Sequence, residues 1–219
     1  MIVEMKQVKT GAAPQYEFFK DNNLICRASA PNEKGRVLFC IDHKGGRNQQ
    51  LYYNPSDTSY GADLKSRMSF KIFEQNQYVG RIHGDTEVIG KGKIFNKHAP
   101  LYRVNYQGVE YRVYDVGLGK DGRYLCCYYE DTLIFVVEKH RVVKNYQDSY
   151  TLYIEENGDM PLAALIMVYI DVVAFSNMIE DRGHSISVDN FTSVPVIQNK
   201  FDPEFINRIK AMEEIWDGW

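Results

Sequence analysis

The chain has 219 residues, with 44% apolar residues, 25% charged residues and a net charge of −3. That composition excludes disorder, and at roughly 150 residues per domain it favours one large domain. Sixteen tyrosines and eleven phenylalanines favour strands, because aromatic side chains fit a pleated, half-buried surface.

In chain order, the first 156 residues read as strands and turns. Tyr16–Lys20, Asp21-Asn22-Asn23 and Leu24–Arg27 form a hairpin pattern. Val37–Ile41 and Leu51–Tyr53 flank a Gly-Gly loop, and residues 54–66 are polar with Pro and Gly, hence a loop. Ser69–Phe73 pairs with Tyr78–Ile82. Tyr102, Val104 and Tyr106 alternate with Arg103 and Asn105, and Gln107-Gly108 turns the chain into Val109–Val113. Tyr124–Tyr129 turns at Glu130-Asp131 into Leu133–Val137, and Tyr150, Leu152 and Ile154 form a last inward row. Roughly a dozen short strands at this spacing predict a sandwich or a barrel.

The pattern then changes. Asp159 is a helix cap and Pro161 an early helical residue ahead of the apolar run Leu162–Ile170. Asp171 interrupts, and Val172–Phe175 continue it, so a helix over 160–179 is expected. It is apolar on every face, so it is either a membrane span or enclosed by protein. A span needs about 20 apolar residues, and Asp171 splits this run, so enclosure is expected. About a dozen strands closed around one helix satisfy both requirements and remove the sheet's edges. The expected fold is therefore mainly β with two helices: a closed antiparallel barrel around a hydrophobic helix. A sandwich with the helix across one end is the alternative.

Residues 181–219 extend beyond that unit. Asp202-Pro203-Glu204 starts a second helix, with Phe205, Ile209, Met212 and Trp216 on one stripe and Glu213 and Glu214 outward. The whole chain is expected to be one domain: barrel 1–156, helix 160–179, and extension 181–219.

The segment Asp148–Ile154, followed by Asp159 and Leu162–Asp171, resembles the closing strand and central helix of the tubby-like superfamily. It is closest to the LURP-one-related and phospholipid scramblase-like branches. Phe70–Phe73 with Val79–Ile82, and Val136–Lys139, resemble the family's strand pairs. The resemblance covers about residues 66–180. It implies a twelve-stranded barrel around a buried helix, in a family some of whose members bind phosphoinositides or associate with membranes. The sequence has no Pro-rich amino-terminal extension, no run of palmitoylatable cysteines and no acidic calcium loop beside the helix, which argues against scramblase activity.

The charge is unevenly spread, +5 over residues 1–150 and −8 over 151–219, so the two parts attract each other or the basic part meets an anion. Two basic stretches are candidates for holding a phosphate or a lipid headgroup. One contains Lys91, Lys93, Lys97 and Arg103, the other Lys139, Arg141 and Lys144 beside His140. Two solvated turns are the plainer reading of both. Gly117–Gly122 matches G-x-G-x-x-G, but a strand pattern follows it where a dinucleotide site needs a helix, so a turn is expected. Asp171 needs a partner or a raised pKa if buried, and is expected where the helix reaches the barrel mouth.

The four cysteines form no CxxC and have no neighbouring His, so no metal site is expected. No signal-length apolar run opens the sequence, which predicts a cytoplasmic protein with reduced thiols, at most peripheral to a membrane. No catalytic residue and no cofactor is assigned. The expected function is a non-catalytic barrel protein that meets an anionic membrane surface or a protein partner, with no nucleic acid. The alternatives are an enzyme using Gly117–Gly122 or Asp171, and a lipocalin-like carrier of a small ligand.

Overall fold

The computed structural model describes residues 1–11, 13–30, 37–53, 69–91, 96–143, 147–175, 186–187, 190–192 and 194–216. The strands in chain order are β1 (Ile2–Lys9), β2 (Gln15–Lys20), β3 (Asn23–Ser29), β4 (Val37–His43), β5 (Asn48–Tyr53), β6 (Phe70–Glu74), β7 (Gln77–Lys91), β8 (Asn96–Tyr106), β9 (Val109–Gly119), β10 (Arg123–Tyr129), β11 (Thr132–Lys139), β12 (Val142–Val143) and β13 (Ser149–Ile154). The helix α1 (Met160–Ile170) follows and runs into a π-helical turn, Asp171–Phe175. Then come β14 (Ile186–Ser187), β15 (Asn190–Phe191), α2 (Pro195–Gln198) and α3 (Pro203–Trp216).

Twelve strands, β1 to β11 and β13, form a closed antiparallel barrel in simple chain order. β13 returns to β1, with Met5 opposite Tyr150 and Val3 opposite Leu152, and β9 and β10 pair as the ring requires. An even number of strands lets the two ends of the meander meet antiparallel, so the ring closes without an edge. β12 pairs with β14, and β15 adds to the end of β9.

Hairpin chemistry sets the register at one end. Asp21-Asn22, Gln75-Asn76 and Gln107-Gly108 all take positive φ, the conformation that matches a two-residue turn to strand twist. Gly117–Gly122 holds the end of β9 and the turn at 120–122 into β10, closed by Leu118 N–H donating to the Gly122 carbonyl at 2.8 Å.

One face of every barrel strand contributes to a single apolar core, which also contains all residues from Leu162 to Ile170. Those nine helix residues are at most 1% exposed. Fully burying a Leu, Ile, Val or Met side chain contributes about 1.5–3 kcal/mol, so the helix is a large contributor to the core. Tyr169 shows the fit: its ring meets Phe70 edge-on at 5.0 Å and Tyr102 at 5.9 Å. At its start, Asp159 accepts the Leu162 N–H at 3.1 Å, as the cap reading requires. The helix ends at Ile170 and the π-helical turn at Phe175; residues 176–179 lie outside the described set.

A second core forms on the outer wall. Ile197 of α2 and Phe205, Ile206 and Ile209 of α3 cover Leu101, Tyr114, Val116, Cys126, Val136 and Tyr153. This explains the adjacent cysteines. Successive strand residues face opposite ways, so Cys127 joins the inner core and Cys126 the outer one. The expected stripe on α3 is corrected in its second half: Ile206 is buried, whereas Met212 is 47% exposed. Glu213 is not outward either. It accepts the Ile2 N–H at 2.9 Å and lies 3.4 Å from the terminal ammonium, which ties α3 to the start of β1. Glu214 is exposed, as expected, and the Trp216 side chain is outside the described set.

Candidate functional site

Two polar networks flank the apolar helix. At its amino-terminal end, Tyr106 donates to Glu74 Oε2 at 2.7 Å and accepts from Gln49 at 2.9 Å and from Arg47 at 2.5 Å. Arg47 also stands 3.8 Å from the capping carboxylate of Asp159. Burial pushes the Glu74 carboxyl up, but hydrogen bonds from Arg47 and Tyr106 win and hold it below its ordinary value. This end is a polar plug beneath the tight turns, held by the ion pair of Arg47 with Glu74.

The other end has more scope for chemistry. Asp171, first residue of the π-helical turn, is 1% exposed. Tyr16 donates to its Oδ2 at 2.6 Å, and Tyr150 donates to Oδ1. Asp171 is therefore not at a wetted mouth, which corrects the expectation. Two phenols, from β2 and β13, satisfy the buried carboxyl, and the turn it opens reaches solvent three residues later at Ala174. Burial pushes its pKa up, opposed by those two hydrogen bonds and by Lys139. Lys139 Nζ donates to Asp148 and, at 3.2 Å, to the Tyr150 hydroxyl. It also lies 4.8 Å from the Tyr150 ring and 4.9 Å from the Phe175 ring. Burial lowers the proton affinity of Lys139, and Asp148 opposes that. Arg123 covers Phe175 at 4.1 Å while Asp115 grips its guanidinium through both oxygens.

Outside this network is a groove of about 480 Å³, lined by Lys6, Gln7, His140, Arg141, Gln147, Asp148 and Ser149. β1 supplies Lys6 and Gln7, and β13 supplies Ser149; His140 and Arg141 follow β11. Gln7 Oε1 accepts the Asp148 N–H at 3.2 Å, and the Gln7 N–H donates to the Asp148 carbonyl at 3.0 Å, which fixes the floor. His140 has a hydroxyl at each ring nitrogen, Thr151 at 2.8 Å and Ser149 at 2.9 Å. Arg141 donates to the Lys120 carbonyl at 3.1 Å and is exposed. Lys6 is half-exposed beside Glu4 at 2.9 Å. Lys6, Arg141 and the His140 ring thus share one concave surface; among the described residues that line it Asp148 is the one carboxylate, paired with Lys139, while Lys6 is paired with Glu4 beside it.

The basic candidates divide sharply. Arg141 lines the groove. Lys139 is only 6% exposed and faces the interior network, so its charge is spent on Asp148. Arg103 is on the outer face of β8, ion-paired with Asp85 and, at 2.8 Å, with Glu110. β8 is separated from β11 by β9 and β10 in the ring, so the two stretches are not neighbours in the wall. Lys91 and Lys97 sit at the far end of the β7–β8 ladder, where Lys97 faces Gly90 and Lys91 faces Asn96; their side chains are outside the described set. Lys93 and Lys144 lie outside the described residues altogether.

Among residues not singled out from the sequence, Lys6, Gln7, Tyr16, Asp148 and Tyr150 complete the groove and its floor. Cys26, Cys126 and Cys127 are buried, and Cys40 is half-buried. Cys26 is pushed up to about 12 by burial and by Asp42, and Cys127, wholly buried, is pushed well above its ordinary value. Among the described residues no helix is long and apolar enough to cross a membrane. Compared with protein-family models, curated proteins and solved structures, the chain matches none.

Proposed function

We propose that this chain is a non-catalytic binding protein of the tubby-like superfamily, in its LURP-one-related and scramblase-like branch. In this reading α1 is the axle of the barrel, and the end carrying the groove meets an anionic membrane surface from the cytoplasmic side. The observation that carries the binding reading is the convergence of Lys6, His140 and Arg141 on one groove, with Asp148 neutralised from beneath. Exposed cations that converge on a concave surface raise the local concentration of anions, and salt weakens the effect. Support for the axle is the shared core of α1 with one face of every barrel strand. Two observations support the non-catalytic part. Gly117–Gly122 joins two strands rather than opening a helix. The Asp171 carboxyl is sealed by Tyr16 and Tyr150.

Vesicle flotation tests this. Binding to vesicles containing phosphatidylserine is expected, absent from pure phosphatidylcholine, weakened by salt, and lost in the double variant Lys6→Glu/Arg141→Glu. Equal behaviour on charged and neutral vesicles would remove the membrane reading.

A further inference from the structure

The groove and the buried carboxyl of Asp171 are joined by an unbroken line of contacts. Asp148 lines the groove and holds Lys139; Lys139 donates to Tyr150; Tyr150 donates to Asp171. We infer that the groove is proton-linked: an anion seated between Lys6 and Arg141 binds together with a proton taken up at Asp171. The inference rests on the proposal that the groove takes an anion.

Charge counting supplies the reason. Facing Asp171 are Tyr16 from β2, Tyr150 from β13, Asp148 ahead of β13 and Lys139 from β11. Arg123 from β10 is nearby over Phe175, but Asp115 already neutralises it. With both interior carboxylates ionised, Asp148 and Asp171 share the single ammonium of Lys139. One negative charge is then left over in a region of low dielectric, where burial already favours the proton. An anion in the groove adds negative charge beside Asp148 and raises the cost of the surplus further. The cheapest response is for Asp171 to take up a proton.

Local structure agrees. The tyrosine hydroxyls place two donors on the carboxylate form, which opposes the burial that favours the proton. Asp171 also opens a π-helical turn, a distortion that is frequent at functional sites. Linkage is reciprocal. If anion binding recruits a proton, acidification must tighten anion binding, by up to about tenfold per pH unit for one proton.

The test uses the full-length chain and sulfate, an anion whose own charge is constant across the pH range concerned. Calorimetric titration in two buffers of different ionisation heat counts the protons taken up. The expected result is up to one proton per sulfate and an affinity that falls as pH rises. Asp171→Asn should bind sulfate with no proton uptake and a nearly flat pH profile. His140→Gln removes the groove's own titratable ring, so it should bind more weakly yet still take up the proton. Uptake that persists in Asp171→Asn, or vanishes in His140→Gln, overturns the inference while leaving the groove an anion site. No sulfate binding at any pH removes the groove reading itself. If Asp171→Asn does not fold, Tyr150→Phe decides: cutting the link to Lys139 must move the pH window of uptake, and an unmoved window is the contrary result.

Discussion

Tyr16 donates its hydroxyl proton to Asp171 across 155 residues of sequence, tying the first hairpin of the barrel to the carboxy-terminal turn of the helix. The bond is buried, and it makes the stability of the whole fold depend on the state of one carboxyl. The Asp171 pKa is raised above its ordinary value of 3.8 by burial. The folded state therefore holds that proton more tightly than the unfolded chain does. The resulting stabilisation is fully present below the unfolded value and is lost as pH rises through the folded one. Melting temperatures of the wild type and Asp171→Asn, measured from about pH 4 to pH 8, should show the wild type losing ground to the variant as pH rises. A constant difference would mean that Asp171 does not titrate in this window.

Lys139 and Asp148 form a pair in which both side chains are buried, 6% and 4% exposed. Removing one partner strands the other's charge, which costs about 3–5 kcal/mol. Lys139→Met should therefore be severely destabilised in chemical denaturation, and Lys139→Met/Asp148→Asn should recover a large part of the loss. Because the single variant leaves a charge that the double variant removes, additive losses would contradict the pairing.

Much of the barrel is legible in the sequence, because its signals are local. Turn pairs such as Asp21-Asn22 and Gln107-Gly108 and the alternation around Val104 encode hairpins, and a simple meander needs little else. The helix is equally local, from the Asp159 cap to the last apolar residue. The interior network is different. Lys139 follows Phe135 and Val137 in steps of two, a spacing that puts it on their inner face. Its chemistry as a cation hides that pattern. Its partners, Asp148 and Asp171, come from separate segments that only the closed barrel brings together. Arg103 shows the same limit, since its pairing with Asp85 follows from the β7–β8 register. On α3 the buried face takes in Ile206 and leaves Met212 exposed, and Glu213 is tied to the start of β1, a contact between distant segments.

Gly80 marks a close approach between strands. Its φ is 153°, and a Cβ built there would lie 1.9 Å from the Asn105 carbonyl oxygen. No rotamer relieves a clash with backbone, so β7 and β8 must separate to admit it. Gly80→Ala should destabilise by about 1–3 kcal/mol in urea unfolding. A gain, as expected where glycine only adds freedom to the unfolded chain, would show that the strands approach less closely.

Whether the apolar segment is enclosed by the barrel is tested most directly by hydrogen–deuterium exchange of the amides from Leu162 to Ile170. Enclosure makes global unfolding the only route to exchange, so these amides should be the slowest in the chain and should share one opening free energy. Leu165→Asp, which buries an unpaired charge at a site 0% exposed, should then abolish soluble folding. Exchange of the segment within seconds, ahead of the strands around it, would contradict enclosure.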